Sequence, residues 1–183
     1  MTETYAILGC GSAKADEPTR ADHLYTSTYF AIKREYAEHF ADKTIILSAE
    51  HGLVAGWRTV EPYETTIADV DRESFVQQIE WDLGGPFTGH QFCDEVLLLA
   101  GAEYRDCYHA AVARDRADDR LWSDTEDVAI VDVFGDADLG GIGDQMGYLR
   151  EAIDDDLRQP DDDRDQQAGL DRFADRVEVA SDD

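Results

Sequence analysis

Four short apolar runs, each followed by a segment with helical periodicity, limit the folds open to this sequence more than any other feature. The runs span Tyr5–Leu8, Thr44–Leu47, Val96–Ala100 and Val128–Phe134. They are continuous rather than alternating, which is typical of strands covered on both faces in a mostly parallel sheet. The strand–helix alternation therefore predicts an α/β fold with three layers, α/β/α, around a mostly parallel central sheet.

The helical segments are recognised by apolar residues that share one face. These residues are Tyr29, Ile32, Tyr36 and Phe40; Phe75, Ile79 and Leu83; Tyr104, Tyr108, Ala111 and Val112; and Met146, Leu149, Ile153 and Leu157. The first helix is expected to begin near Thr26 or Ser27, and the second at Asp71, because these residue types cap helix N-termini.

The length and the end of the pattern predict the domain organisation. A chain of 183 residues fits one domain of ordinary size. Beyond Leu157 the sequence is rich in aspartate and glutamine and has little to bury. We expect a single α/β domain at 1–157 and a flexible acidic tail at 158–183. A short last element around Leu170–Val179 is the alternative.

The charge of the chain indicates the solvent to which it is adapted. There are 42 acidic and 16 basic residues, a net charge of -26, and only Lys14, Lys33 and Lys43 are lysines. Such a surface repels itself in dilute buffer, whereas molar salt shortens the Debye length to about 3 Å. The composition is that of a halophilic protein; an acidic partner-binding surface is the alternative. Residues 1–52 carry five basic and eight acidic groups, so an anionic ligand is tolerated best there.

The remaining composition bears on location and cofactors. Cys10, Cys93 and Cys107 form no CxxC pair, and their odd number favours a reducing compartment. The chain has no basic leader and no apolar stretch of the roughly 18 residues that cross a membrane. We therefore expect a cytoplasmic protein with no membrane partner. The scattered histidines and cysteines predict no metal site, and no cofactor is expected.

The loops after the four runs are the candidate binding site. They span Gly9–Lys14, Ser48–Gly52, Gly101–Tyr104 and Gly135–Gly143, and all contain glycine and polar residues. In open α/β sheets, ligands bind outside the carboxyl ends of the strands, so these loops are expected to converge there.

Individual loop residues have both functional and structural interpretations. The first loop can hold an anion through backbone N–H groups, with Lys14 as charge and Ser12 as hydroxyl; the alternative is a tight turn with an exposed lysine. His51 can act as a general base near Ser48, or it can be a structural histidine. Gly140–Gly143 resembles a phosphate loop, but Asp144 would repel a phosphate, which favours close backbone packing.

Several motifs together resemble a known family. They are Cys10-Gly11-Ser12-Ala13-Lys14, Leu24–Ser27, Phe30, Arg34, Tyr36-Ala37, Ile46–Val54, Pro62-Tyr63, Gly101, Tyr104 and Gly141–Met146. In this order they are similar to an uncharacterised "domain of unknown function" family of archaea, bacteria and phages. The stretch Leu47–Val54 followed by Glu61-Pro62-Tyr63 is also similar to the YaaA peroxide-stress-resistance family. That resemblance implies a uracil-DNA-glycosylase-like or Rossmann-like α/β fold and contact with nucleobases or nucleic acid.

The leading functional hypothesis is a nucleobase- or nucleotide-directed enzyme that acts on a glycosidic or phosphate-linked substrate. Ser48 and His51 are the candidate catalytic residues. The candidate ligand-binding residues are Cys10, Ser12, Lys14, Tyr25, Ser27, Arg34, Tyr63 and Tyr104. Tyr25 and Tyr63 are expected to stack a base, and Arg34 to reach the same pocket from its helix. The alternatives are a non-catalytic nucleic-acid-binding or oxidative-stress-related protein, and an interaction domain whose acidic tail is the working part.

The charge predicts how stability depends on salt. The melting temperature should fall steeply as KCl drops below about 1 M, because repulsion between the acidic groups grows with the Debye length. Circular dichroism melts across a KCl series measure this effect. A melting temperature that stays the same in high and low salt would contradict the halophilic interpretation.

Overall fold

The computed structural model describes residues 3–86, 88–89, 92–117, 128–137 and 139–158. The strands among them are β1 (Thr4–Gly9), β2 (Thr19–Arg20), β3 (Lys43–Ser48), β4 (Gly52–Ala55), β5 (Thr59–Val60), β6 (Glu95–Leu99) and β7 (Ala129–Asp132). The α-helices among them are α1 (Ala21–Leu24), α2 (Thr28–Phe40), α3 (Arg72–Leu83), α4 (Ala102–Ala117), α5 (Val133–Asp136) and α6 (Ile142–Asp154). A 3₁₀ turn at Ile67–Asp69 precedes α3.

The main sheet is mixed but mostly parallel. Its strand order is β4-β3-β1-β6-β7, and β2 pairs separately with β5. Strand β1 pairs in parallel with both β3 and β6, β6 pairs in parallel with β7, and only the edge strand β4 is antiparallel. The chain runs from β1 to β3 on one side and later to β6 on the other. The strand order therefore reverses between β1 and β6, which is where open α/β sheets bind ligands.

The buried side chains divide into two clusters according to the face of the sheet they occupy. Ile7 and Leu98 belong to the cluster that contains the apolar residues of α3 and α4. Their neighbours Leu8 and Leu97 belong to the other, with α1, α2, α5 and α6. Successive residues of a strand point to opposite faces, so continuous apolar runs supply both clusters. The predicted α/β class and mostly parallel sheet are confirmed.

Helix starts follow the predicted capping residues. The Ser27 side chain accepts a hydrogen bond from the N–H of Phe30 at 3.2 Å and begins α2. Asp71 accepts from the N–H of Ser74 at 2.9 Å and begins α3, which ends before Gly84. Both expected N-termini are confirmed.

Two elements differ from the prediction. The residues after Ser48 form a tight turn and then β4, which returns beside β3 with Ser48 opposite Gly52. The last apolar run is not one strand, because Asp132 ends β7 and its carboxylate accepts the N–H of Gly135 at 2.9 Å, which starts α5. The sequence run through Phe134 therefore covers a strand and a helical turn.

The first residue of the predicted tail contacts the α/β domain. Arg158, assigned to the tail from the sequence, forms an ion pair with Glu95, and its carbonyl accepts the hydroxyl of Tyr36 at 2.8 Å. The rest of the predicted tail, residues 159–183, and the alternative element around Leu170–Val179 lie outside the described residues. In the part of the chain that the structure covers, no helix is long and apolar enough to cross a membrane.

The turn between β3 and β4 predicts the effect of a glycine substitution. Gly52 has a φ of 69°, and a Cβ there would overlap the Asp82 carboxylate, which already accepts the N–H of Leu53. Gly52→Ala should lower the free energy of unfolding by about 2 kcal/mol or more, because left-handed backbone alone costs about 1–2 kcal/mol.

The matched control is Gly101→Ala, since a Cβ at Gly101 has open space around it. The change there should stay within about 0.5 kcal/mol. Chemical denaturation of both variants in molar KCl measures the difference. Equal stability of the two variants would show that the turn does not require glycine.

Candidate functional site

The residues that follow β1 and β6 meet at the carboxyl edge of the sheet, and we call this meeting point the crevice. Cys10 follows β1, and Tyr104 lies in the first turn of α4, directly after β6. The Cys10 Sγ and the Tyr104 Oη are 2.9 Å apart, so a hydrogen bond joins residues 94 positions apart in sequence. The N–H of Cys10 also donates to the Leu47 carbonyl of β3 at 3.0 Å. The thiol therefore lies at the point where the strand order reverses.

Three hydroxyl groups connect the end of β3 to Tyr25, whose backbone pairs with Lys14 of the first loop. Ser48 Oγ donates to Tyr63 Oη at 2.8 Å, and Tyr63 Oη lies 2.6 Å from Tyr25 Oη. We call Ser48, Tyr63 and Tyr25 the hydroxyl chain. Ser48 is 1% exposed, and its Oγ also accepts the N–H groups of Glu50 and His51 at 3.2 and 3.1 Å. The Ser48 hydroxyl is thus fully engaged in holding the turn and Tyr63.

The phenols around the crevice are kept neutral. Burial raises the pKa of Tyr25, Tyr63 and Tyr104 above the usual tyrosine value. The nearby Cys10 further raises the pKa of Tyr63 and Tyr104. Neutral phenols can both donate and accept a hydrogen bond. The crevice is therefore lined by protonated hydroxyl groups close to a thiol.

Lys14 supplies a positive charge beside the hydroxyl chain. Its Nζ lies 4.4 Å from the centre of the Tyr63 ring and 3.5 Å from the Ser12 carbonyl. The first loop is fixed by backbone bonds, since Thr26 N–H donates to the Ala13 carbonyl at 3.0 Å. Among the described residues no carboxylate forms an ion pair with Lys14. In a chain with a net charge of -26, this cation is available to an anionic ligand.

Lys33 is a site residue that the sequence reasoning missed. It lies in α2, is 3% exposed, and donates from Nζ to the Gly9 carbonyl at 2.6 Å. Its Nζ also lies 4.8 Å from the centre of the Tyr29 ring. Burial lowers the pKa of Lys33 to about 8, although Cys10 acts in the opposite direction. Its position in the sequence could have indicated this. Lys33 lies four residues after Tyr29 and three before Tyr36, so it shares the apolar face of α2.

His51 lies at the mouth of the crevice. It is exposed, and its ring packs edge-on against Tyr63 with ring centres 5.2 Å apart. Its backbone N–H bonds to Ser48, but in the described part of the chain no hydrogen bond joins the Ser48 hydroxyl to the His51 imidazole. The two candidate catalytic residues are therefore close in sequence, but their side chains do not form the hydrogen bond that joins a nucleophile to its base.

Other predicted site residues have structural contacts. The Ser27 hydroxyl caps α2, as described above. The Tyr25 ring is 4% exposed and packs on Phe30, with ring centres 4.6 Å apart, which leaves it little surface for stacking a base. Ser12 is exposed in the first loop, close to Lys14.

Arg34 lies away from the crevice. Its guanidinium donates to the Asp22 carbonyl at 3.3 Å and contacts His23 at 3.0 Å. The backbone N–H of Asp22 bonds to Gly56, which in turn bonds to Thr44 near the start of β3. Arg34 is therefore near the amino end of β3, whereas Ser48 is at its carboxyl end. The expectation that Arg34 reaches the same pocket is not met.

A cleft adjoins the turn that follows Ser48. It has a volume of about 250 Å³, and its walls include Glu50 and Gly52 of the turn and Ser74, Phe75 and Gln78 of α3. Phe75 also packs edge-on against Tyr104, with ring centres 6.0 Å apart. Polar and aromatic walls of this kind suit a neutral ring with hydrogen-bonding groups. Within the described ranges, no three His, Cys, Asp or Glu side chains are grouped so as to hold a metal ion.

Fold and site together define a mixed α/β protein with a polar crevice at its strand-order reversal. Comparison with known proteins specifies the family. The chain belongs to the family described as "Family of unknown function (DUF6884)", whose profile matches residues 6–120. The expected membership in a family of unknown function is thus confirmed, and the matched region contains the crevice residues.

The chain is also similar to the "Uncharacterized protein YfjM" of Bacillus subtilis (strain 168). The two are 29% identical over 123 residues, which cover 58% of this chain and 75% of the relative. No solved structure matches the chain.

The hydroxyl chain predicts the effect of removing one hydroxyl. Ser48→Ala should lower the free energy of unfolding by about 1–3 kcal/mol, because it removes three part-buried hydrogen bonds, those with Glu50 N–H, His51 N–H and the Tyr63 hydroxyl. The exposed Ser12→Ala variant is the matched control and should change stability by less than about 0.5 kcal/mol. Denaturant titrations in molar KCl measure both. A silent Ser48→Ala variant would show that the turn is held by other contacts.

Proposed function

We propose that the crevice binds a nucleotide or a nucleobase as its substrate. The observation that supports this most directly is the presence of Lys14 and Lys33 at the crevice. They are two of the three lysines of a chain whose net charge is -26. Among the described residues neither forms an ion pair with a carboxylate. Lysine is rare in this sequence, so two such cations at the strand-order reversal favour an anionic ligand.

The proposed ligand has a charged part and a neutral part. Lys14, which has three N–H donors and lies over Tyr63, is assigned to a phosphate group. The cleft beside Ser48–Gly52, with its serine, glutamine and phenylalanine walls, is assigned to the base. Glu50 in the same cleft would repel a phosphate, so the charged end of the ligand is placed toward Lys14. His51, exposed beside Tyr63, is proposed to exchange a proton with the ligand near neutral pH.

The proposed fold assignment is consistent with this function. The strand order and the two buried clusters support a three-layer α/β/α arrangement of the uracil-DNA-glycosylase-like or Rossmann-like kind. Ligands of open α/β sheets lie at the strand-order reversal, where Cys10 and Tyr104 meet. We further propose that the protein works in a cytoplasm with a high salt content, because its acidic surface requires screening.

Substitution of single lysines tests the proposal. Lys14→Ala should weaken binding of a nucleotide by about 1–3 kcal/mol, the range for a lost charge-assisted hydrogen bond, which is roughly 5- to 150-fold. His51→Ala should weaken binding in the same range, and both folds should survive because the side chains lie at the mouth of a loop. Thermal-shift screening of nucleotides and free bases in molar KCl, followed by titration, measures these effects.

Lys43→Ala is the matched control. It changes the net charge by the same amount, but Lys43 pairs with Glu3 near the start of β3, away from the crevice. Its binding affinity should equal that of the unsubstituted protein. The proposal fails if no nucleotide or base raises the melting temperature. It also fails if Lys14→Ala and Lys43→Ala weaken binding equally, since the effect would then be one of net charge.

A further inference from the structure

The guanidinium of Arg105 is held by a single long contact. Arg105 lies near the start of α4, and its Nη1 is 3.3 Å from Oδ1 of Asp132 at the end of β7. Charge-assisted N–H···O bonds are usually about 2.7–2.9 Å long. The Nε of Arg105 is buried and has no hydrogen-bond partner among the described residues. A buried charged donor without an acceptor is costly, and an acceptor that binds there removes the cost.

Arg114, in the last turn of the same helix, has the ordinary arrangement. Its Nη1 and Nη2 bind the two carboxylate oxygens of Glu73 at 2.7 and 2.8 Å on the exposed surface. A guanidinium has five N–H donors in a planar fork that matches two oxygens of a carboxylate or a phosphate. Arg114 uses such a fork fully. Asp132 contacts Arg105 only at Nη1, so in the described structure the Nε–Nη2 edge of Arg105 has no acceptor.

The Asp132 carboxylate has partners other than Arg105. Its Oδ1 accepts the N–H of Gly135 at 2.9 Å, and its Oδ2 lies 3.4 Å from Nε2 of His109. Burial acts to raise the pKa of Asp132, but His109, the Gly135 N–H and Arg105 together hold it below its usual value. Asp132 can therefore remain bonded at the end of β7 when the guanidinium turns away from it.

Arg105 lies beside the crevice and can be reached from it. It directly follows Tyr104, and its side chain is 21% exposed. Its charge acts on Tyr29, since burial raises the pKa of that phenol to about 12 and Arg105 opposes the rise. The ring of Tyr29 is in turn 4.8 Å from Nζ of the buried Lys33. An anion bound to Arg105 would therefore be attracted by Lys33 as well.

We propose that Arg105 forms an anion subsite that binds a phosphate group, separate from the phosphate contact assigned to Lys14. On binding, the guanidinium leaves Asp132 and presents its Nε–Nη2 edge to two phosphate oxygens, while Asp132 keeps its contacts with Gly135 and His109. No covalent bond forms or breaks. The phosphate subsite stands on the surroundings of Arg105 alone. Its assignment to a nucleotide rests on the proposed function, and the ligand is then a nucleotide with at least two phosphate groups.

Inorganic phosphate tests the subsite directly. The full chain, labelled with ¹⁵N, is titrated with phosphate in molar KCl, and the arginine Nε–H signals are followed by NMR. The Nε–H signal of Arg105 should shift and saturate, because this donor gains an acceptor. The Nε–H signal of Arg114 should stay in place, because both of its terminal nitrogens already bind Glu73.

Three substitutions assign the contact. Arg105→Met should weaken phosphate binding at least about tenfold, the effect of losing charge-assisted hydrogen bonds. Arg114→Met removes the same charge from the same helix and should leave the dissociation constant unchanged. Asp132→Asn should strengthen binding about threefold, because it removes the competing anion and keeps an oxygen for the N–H of Gly135. Circular dichroism establishes that each variant is folded, and the titration of the unsubstituted protein does not depend on any variant.

The outcomes separate this inference from the proposed function. An Arg105 signal that phosphate does not move overturns the subsite even where a nucleotide binds. Equal weakening by Arg105→Met and Arg114→Met also overturns it, since the effect would then be one of net charge. Phosphate bound at Arg105 supports the subsite, and the proposed function fails if no nucleotide then binds. If a nucleoside diphosphate binds more tightly than the monophosphate and Arg105→Met removes the gain, both proposals are supported.

Discussion

Parallel pairing of β1 on both of its sides is the constraint on which the rest of the molecule depends. Residues Tyr5–Gly9 pair with β3, and Thr4–Leu8 pair with β6, so the strand is enclosed from either direction. At its end the backbone has little space, since a Cβ at Gly9 would lie 3.0 Å from Ala100. The chain leaves this narrow point through Cys10. The position of the crevice is therefore set by the strand order and not by any single side chain.

Salt affects the exposed acidic groups and the buried Lys33 differently. In molar salt, charges on the surface are screened within about 3 Å, so exposed ion pairs contribute little there. A buried charge such as that of Lys33 is screened much less, because salt ions do not reach it. Interactions between exposed charges therefore vary with the salt concentration, whereas the electrostatics at Lys33 vary less. Of the three lysines, Lys33 alone is buried, and Lys43 is exposed.

Local signals in the sequence predicted the fold well, and the two differences lie at tight turns that end a strand. Continuous apolar runs identified the four parallel strands, and Ser27 and Asp71 correctly marked two helix starts. The antiparallel β4 was not predicted, because its four buried residues continue a motif that begins inside β3. The end of the last strand was not predicted either. There the Asp132 carboxylate accepts the N–H of Gly135, and a helical turn begins.

The sequence predicted that several polar residues lie at the carboxyl edge of the sheet, but it did not predict their contacts. Cys10, Lys14, Ser48, Tyr63 and Tyr104 were all expected near the carboxyl edge, and the structure brings them together. Their roles depend on which partner each polar atom finds, and the contacts Ser48–Tyr63 and Cys10–Tyr104 join residues 15 and 94 positions apart in sequence. Periodicity and motif spacing contain no information about such contacts.

The contacts of the Ser48 hydroxyl have a physical cause. A hydroxyl at the end of a strand, followed by a tight turn, meets the unsatisfied N–H groups of that turn, and Ser48 accepts two of them. Once it also donates to Tyr63, no lone pair or proton of the hydroxyl is left for a ligand. Ser48 therefore holds the turn and Tyr63 in place instead of offering a free hydroxyl to a ligand.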